Sequence, residues 1–242
     1  MARRRFFIPE VRRGLAELTG ADAEHLVRVL RVEAGQVFEL SDNHSVYLAE
    51  IESARKSGVT FRVLKQLPSE PASVSVTLLP ALFKFDRFEW LVEKATELGV
   101  TAIQPCEAAR TERGLAAASA KRTPRWQKIA SEASQQSRRT RLPMINQTFS
   151  LAKALQLEGT VRLLLDEASS AKPILEVIPI RRTSEDRVLL MLGPEGGWTD
   201  GERAEAVAAG WTACSLGPTV LRAETAGIAG LAVIRAAWLF AH

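Results

Sequence analysis

The sequence predicts a small antiparallel β domain followed by a larger α/β domain built on a parallel sheet. Residues 36 to 66 alternate apolar and polar side chains in three short runs, whereas residues 74 to 216 interleave apolar runs with helical patterns. The segment Pro68-Ser69-Glu70-Pro71-Ala72-Ser73 separates the two regimes and reads as a proline-bounded linker. With 242 residues and 46% hydrophobic content, the chain can bury one large or two modest cores.

Residues 22–31 carry a helical pattern that runs into a basic patch at Arg28 and Arg31, with Arg3, Arg4, Arg5, Arg12 and Arg13 close by in sequence. The strands that follow are Val37-Phe38-Glu39-Leu40, Val46-Tyr47-Leu48-Ala49-Glu50-Ile51 and Val59-Thr60-Phe61-Arg62-Val63-Leu64. Asp42-Asn43 and Lys56-Ser57-Gly58 supply the turn chemistry between them, so this region reads as a meander in a small barrel. Beyond the linker, strands are expected at 74–79, 102–105, 161–166, 188–192 and 213–216. Helices are expected at 86–98, 125–138, 152–157, 201–209 and 225–240. The alanine-rich stretch 116–120 reads as a helix end or a mobile connection before Thr123-Pro124. Strands alternating with helices are most simply satisfied by a parallel, helix-flanked sheet.

Composition narrows the function classes. Only Cys106 and Cys214 are available, far apart and without metal-ligand spacing, which argues against a disulfide scaffold or a zinc site and predicts a cytoplasmic protein. No basic-then-apolar leader opens the chain, and residues 223–241, the longest candidate membrane span, are interrupted by Glu224 and Arg235. The formal charge of +4 is unevenly spread: nine Lys or Arg lie between Arg110 and Arg141 against Glu112 and Glu132. Such a stripe is either a solvated helix face or the footprint of a polyanion, and Trp126 with Gln135-Gln136 among the charges favours RNA.

Two glycine-proline turns carry the chemical signal. Gly193-Pro194-Glu195-Gly196-Gly197-Trp198 follows the apolar run Val188-Leu189-Leu190-Met191-Leu192 and precedes Thr199 and Glu202, which fit a capping box. Leu216-Gly217-Pro218-Thr219-Val220-Leu221-Arg222-Ala223-Glu224-Thr225 leads into a long helix rich in small residues. Glycine permits close approach of the backbone to a ligand, and proline stiffens the bend. Either turn alone could be an ordinary β-to-α connection; two of them near one chain end, the second carrying Arg222 and Glu224, point to one ligand pocket. No glycine is followed two residues later by another, so the Gly-x-Gly turn of dinucleotide sites is absent, as is the P-loop pattern.

These two turns resemble the signature loops of the ribosomal RNA (uracil-N3)-methyltransferase family, in the SPOUT class. Arg28-Val29-Leu30-Arg31, Lys94-Ala95-Thr96-Glu97-Leu98-Gly99-Val100 and the region from Arg125-Trp126 to Pro143 match the same family in the same order. The sequence departs from the family pattern at Thr219, Ala223, Ala109 and Gln135. The resemblance implies a PUA-like β-barrel that binds RNA over residues 1–70 and a SPOUT-type domain with a trefoil-knotted parallel sheet over 74–242. It further implies S-adenosyl-L-methionine as cofactor, held by Leu165, Leu192, Gly193, Gly196, Leu216, Gly217 and Leu221. The implied substrate is a uridine of 16S ribosomal RNA, met as free RNA or in the small ribosomal subunit, with Arg28, Arg31, Arg110, Arg138 and Arg139 as RNA contacts. The implied enzyme is a homodimer.

Methylation at uracil N3 requires loss of the imide proton, so a carboxylate to take it and an arginine to stabilise the anion are needed. Glu195 and Glu224 are the candidate carboxylates and Arg222 the candidate cation; the structural alternative pairs Arg222 with Glu224. Two other readings stay open at this point: a non-catalytic RNA-binding ribosome-assembly factor, and a SPOUT enzyme acting on a ribose 2′-hydroxyl.

Overall fold

A computed structural model describes residues 5–68, 73–168 and 170–239. Arg3, Arg4, most of the expected linker and the last residue of the expected terminal helix lie outside these. The chain forms two compact units, Met1–Pro71 with Ser134–Leu142, and Ala72–Ala133 with Pro143–His242.

In the first unit the elements are β1 (Arg5–Phe7), β2 (Val11–Arg12), β3 (Leu15–Thr19), α1 (Gly20–Arg28), β4 (Val37–Ser41), β5 (Val46–Arg55) and β6 (Gly58–Gln66). They build a curled sheet in the order β1-β4-β5-β6-β3-β2, antiparallel except for the β1–β4 pair. Register shifts in β5 at Leu48/Ala49 and Ile51/Ser53 bend the longest strand, as bulges do. Phe6, Leu18, Leu26, Leu40, Ile51, Val59 and Phe61 fill the interior. Strands β1 and β2 are too short to show a period of two, and in β3 the burial alternates at Ala16 and Leu18 but the outward Leu15 and the small inward Ala16 blur the apolar-polar pattern, so the sequence pattern misses all three.

The segment Ser134–Leu142 is fastened to this unit by polar contacts. Arg5 is 6% exposed and forms a 3.0 Å ion pair with Glu39, while its Nη1 donates to the Thr140 hydroxyl at 3.2 Å and to the Arg138 carbonyl. The Arg138 guanidinium also meets Glu39, and the Leu142 amide donates to Asn43 Oδ1 at 3.0 Å.

The second unit holds β7 (Ser75–Pro80), α2 (Phe85–Glu97), β8 (Ala102–Ile103), β9 (Cys106–Glu107), α3 (Leu115–Gln136, its last residues belonging to the first unit), β10 (Met144–Ile145), β11 (Phe149–Ser150), α4 (Leu151–Leu155), β12 (Val161–Leu165), β13 (Lys172–Pro173), α5 (Ile174–Val177), β14 (Arg187–Leu192), α6 (Asp200–Ala208), β15 (Thr212–Ser215) and α7 (Ala223–Leu239). Seven strands form a parallel sheet in the order β10-β8-β7-β14-β12-β15-β13, and β9 pairs with β11 separately. Both faces are covered, which explains why Val188 through Leu192 is a continuous buried apolar run.

Strand β14 lies between β7 and β12, with Leu190 opposite both Leu78 and Leu163, and the next strand, β15, lies on the far side of β12. The chain then returns as α7 against the β14 side, where Gly227 meets Leu91 and Leu192 and Gly230 meets Leu190 and Leu165. This strand exchange is the one expected of the knotted class. It also assigns the small-residue face of α7 to the interior of this unit. Among the described residues no helix is long and apolar enough to cross a membrane.

Two expectations are corrected. Residues 116–120 are not a mobile connection but the N-terminal end of α3, which begins at Leu115 rather than at the expected 125 and runs through Pro124. High alanine propensity carries the helix, and Thr123 Oγ1 donates to the Ser119 carbonyl at 3.2 Å beside the proline. Trp126, read among the charges as a pointer to RNA, is fully buried against Phe88 at 4.5 Å between ring centroids. It lies on the α3 face that also buries Ala130 and Ala133, so it cannot stack on a base.

Candidate functional site

The site follows from strand register. Leu165 ends β12, Leu192 ends β14 and Cys214 lies near the end of β15, and these three residues stand side by side in the sheet. The loops that leave them therefore emerge together at the carboxyl edge, where open α/β sheets bind ligands. They enclose a cavity of about 640 Å³. Its lining includes Leu165, Leu192, Gly193, Gly196, Leu216, Gly217 and Leu221, all seven residues expected to hold a cofactor, together with Glu195 and Arg222.

The first loop is a turn closed by the Gly197 amide donating to the Pro194 carbonyl at 2.9 Å. Behind it Trp198 is 1% exposed, and its indole N–H donates to the Leu165 carbonyl at 2.9 Å, tying the first loop to the end of β12. The glycines here answer to protein neighbours. A Cβ on Gly193 would come within 3.2 Å of the Trp198 ring, and one on Gly197, at φ +68°, would come within 2.5 Å of Glu167 Oε1. The capping box is present: Thr199 Oγ1 accepts from the Glu202 amide at 3.2 Å, and Glu202 Oε2 accepts from the Thr199 amide at 2.8 Å. Glu202 Oε1 also accepts from the Ala109 amide at 2.7 Å, and Arg110 Nη1 donates to the Gly196 carbonyl at 2.8 Å. Arg110, expected to contact RNA, thus braces the first loop.

The loop after β12 is fixed by Arg203 of α6. Its Nε and Nη2 donate to the two oxygens of Asp166 at 2.8 and 3.0 Å, and its Nη1 donates to the Trp198 carbonyl at 2.8 Å. Hydrogen bonding to Asp166 holds the Arg203 guanidinium above its usual range, with burial opposing. In the loop after β15, Gly217 has φ +132° and no neighbour within 4 Å of an added Cβ, so this glycine is required by backbone conformation alone.

Charged groups divide as follows. Glu195 Oε1 meets Arg87 Nη1 of α2 at 2.5 Å, and both residues line the cavity. Arg222 is exposed, and the alternative Arg222–Glu224 ion pair does not form among the described residues. Glu224 is 5% exposed, lies outside the cavity lining, and keeps Oε2 without a hydrogen-bond partner among the described residues. Burial first, then Asp166, pushes the Cys214 thiol up to about 12, and burial first, then Glu202, does the same to Cys106. Neither is a nucleophile near neutral pH.

The remaining arginines expected to contact RNA belong to the first unit. Arg28 pairs with Glu24 at 2.5 Å, Arg31 is exposed in the left-handed region at φ 51°, Arg138 pairs with Glu39, and Arg139 Nε donates to the Arg141 carbonyl at 3.0 Å. Sequence reasoning missed Arg87, Trp198 and Arg203 as parts of the site. Only Trp198 had a local signal, its place at the end of the glycine turn.

The RNA methyltransferase domain family matches residues 70–235, and the RNA methyltransferase PUA domain family matches residues 18–64. The chain is 35% identical over 223 residues to "Ribosomal RNA small subunit methyltransferase E" of Synechocystis sp., covering 90% of this chain and 72% of that protein. It is 30% identical over 243 residues to the protein of the same name from Bacillus subtilis, covering 95% of each. The crystal structure of the Neisseria gonorrhoeae protein of that name, bound to S-adenosyl methionine, superposes with a TM-score of 0.87 at 30% identity over 98% of both chains.

Proposed function

Because this chain belongs to the ribosomal RNA small subunit methyltransferase E family, we propose that it transfers a methyl group from S-adenosylmethionine to N3 of a uridine in 16S ribosomal RNA. The observation that carries the proposal is the convergence of three loops from adjacent parallel strands on one cavity of about 640 Å³. That volume is in the range of small-ligand sites, and the lining combines leucine side chains with glycine backbone, which suits a flat purine and a sugar.

S-adenosylmethionine supplies a methyl group made electrophilic by its sulfonium. The chain's own residues must bind the cofactor, exclude water and handle the N3 proton. Leu165, Leu192, Gly193, Gly196, Leu216, Gly217 and Leu221 hold the cofactor. Of the three carboxylates in the cavity wall, Asp166 is held by Arg203 through both oxygens and Glu167 stands 3.5 Å from the same guanidinium, whereas Glu195 is engaged by Arg87 through Oε1, which leaves Oε2 to accept the proton. Among the described residues the Arg222 side chain makes no ion pair, and it stabilises the uracil anion. Glu224, at the junction from which α7 starts, is the other carboxylate of the set; loss of turnover in Glu224→Gln but not in Glu195→Gln would move the proton to it.

The curled sheet with Arg28, Arg31, Arg138 and Arg139 binds the RNA, aided by Arg110, and the protein works as a cytoplasmic homodimer on 16S RNA or the small subunit. Reversing Arg31 and Arg139 to Glu weakens RNA binding at least about tenfold and flattens its salt dependence by about one unit of log K per log salt for each lost phosphate contact. An unchanged slope would return these arginines to a solvated surface.

The direct test incubates the protein with methyl-labelled S-adenosylmethionine and small subunits that lack the modification, then identifies the labelled nucleoside by mass spectrometry. N3-methyluridine is expected. Label in a 2′-O-methyl nucleoside would overturn the base assignment, and absence of label would favour an assembly factor.

A further inference from the structure

The cavity carries one cation whose geometry is set before any ligand arrives. Arg87 stands in the first turn of α2, a helix anchored by Phe88, Leu91, Val92 and Ala95, each with 0% exposure. Its Nη1 donates to Glu195 Oε1 at 2.5 Å, and the side chain, 33% exposed, lines the cavity. Its Nε and Nη2 make no hydrogen bond among the described residues, so the edge that best suits a carboxylate, two parallel N–H donors, is available. The other charged groups of the wall are committed or differently placed. Both Asp166 oxygens are taken by Arg203, Glu167 stands 3.5 Å from the same guanidinium, and Arg222 sits exposed just ahead of α7 with no second group to aim it.

We propose that Arg87 binds the α-carboxylate of the cofactor's amino-acid end, and that Glu195 aims the guanidinium by holding Nη1. The inference rests on the S-adenosylmethionine reading above. It assigns to α2 the discrimination between a complete cofactor and an adenosine thioether that lacks the amino-acid group. A rigid helix is better suited to that task than the glycine turns, because the carboxylate is the only anionic part of the ligand and a bidentate contact fixes its direction.

The test is calorimetric titration of the full chain and its Arg87→Met and Arg87→Lys variants with S-adenosylmethionine and with 5′-methylthioadenosine. The expected result is a loss of about 10- to 100-fold in S-adenosylmethionine affinity for Arg87→Met, a smaller loss for Arg87→Lys, and unchanged 5′-methylthioadenosine affinity in both. Retained thioether binding doubles as the check that the cavity is intact. Glu195→Gln should lose less than Arg87→Met, since the guanidinium remains and only its aim is loosened. Unchanged S-adenosylmethionine affinity in Arg87→Met, or equal loss for both ligands in both variants, overturns the role of Arg87 and leaves the cofactor reading standing. Failure of the unaltered protein to bind either ligand overturns both.

Discussion

Replacing Arg222 by alanine lowers methyl-transfer turnover by about two to three orders of magnitude, with S-adenosylmethionine affinity within a few fold and melting temperature within about 2 °C of the unaltered protein. The rate effect comes from charge. On the proposed reading the N3 anion of uracil forms beside the cavity, where Arg87, Asp166, Glu167 and Glu195 are already paired among themselves or with Arg203 and Arg222 is the charged lining residue without an ion pair among the described residues. Removing one such preorganised stabilising group costs about 3 to 4 kcal/mol of transition-state energy in other enzymes. The small effect on folding follows from exposure: Arg222 makes no ion pair among the described residues, and its main-chain carbonyl, which accepts the Ala226 amide at 2.8 Å, is kept by alanine. Single-turnover assays at saturating cofactor isolate the chemical step. Turnover within threefold of normal would remove Arg222 from the reaction, and a comparable fall in cofactor affinity would make it a binding residue instead. Arg222→Lys should recover part of the rate, because charge persists while the planar fork does not.

What the sequence disclosed about this site is what local chemistry encodes. The capping box at Thr199 and Glu202, the glycine-proline turn at Gly217-Pro218 and the uninterrupted apolar run of β14 each follow from neighbours within a few residues, and each stands where it was read. The pairing of the two turns into one pocket is read from their chemistry; the resemblance adds the identity of the ligand and Leu165 at the end of a third strand. The other features depend on long-range contacts that no window of sequence contains. Arg87 and Glu195 are 108 residues apart, and Arg203 and Asp166 are 37 apart. Trp126 misled because its sequence neighbours are charged while its helix face is not: Arg125 turns away to Glu89 and Lys128 towards Glu132, leaving the indole against Phe88. Gly193 and Gly197 were read as room for a ligand, yet each also makes room for a protein side chain, Trp198 in one case and Glu167 in the other. Pro124 marked a boundary by rule, and the alanine-rich turns before it overrode the rule.

Replacing Arg203 by methionine should both loosen the cavity and destabilise the fold, and the two effects separate in a double variant. The Asp166 side chain is 3% exposed and loses both of its guanidinium bonds, at 2.8 and 3.0 Å, so a buried carboxylate is left without its counter-charge. Breaking a buried pair from one side costs about 3 to 5 kcal/mol; because the Arg203 side chain is itself 27% exposed, the lower end, about 3 kcal/mol, applies here. For a unit of this size that lowers the melting temperature by about 6 to 12 °C. Asp166→Asn added to Arg203→Met removes the stranded charge, so the double variant should regain most of the lost stability. Cofactor affinity should stay low in both, because Arg203 also holds the Trp198 carbonyl and with it the tie between the first loop and the loop after β12. Scanning calorimetry and cofactor titration on the two variants decide the matter. A double variant no more stable than Arg203→Met would show that the charge pair is not what Arg203 contributes to folding. Normal cofactor affinity in either variant would mean that the two loops hold their places without the arginine between them.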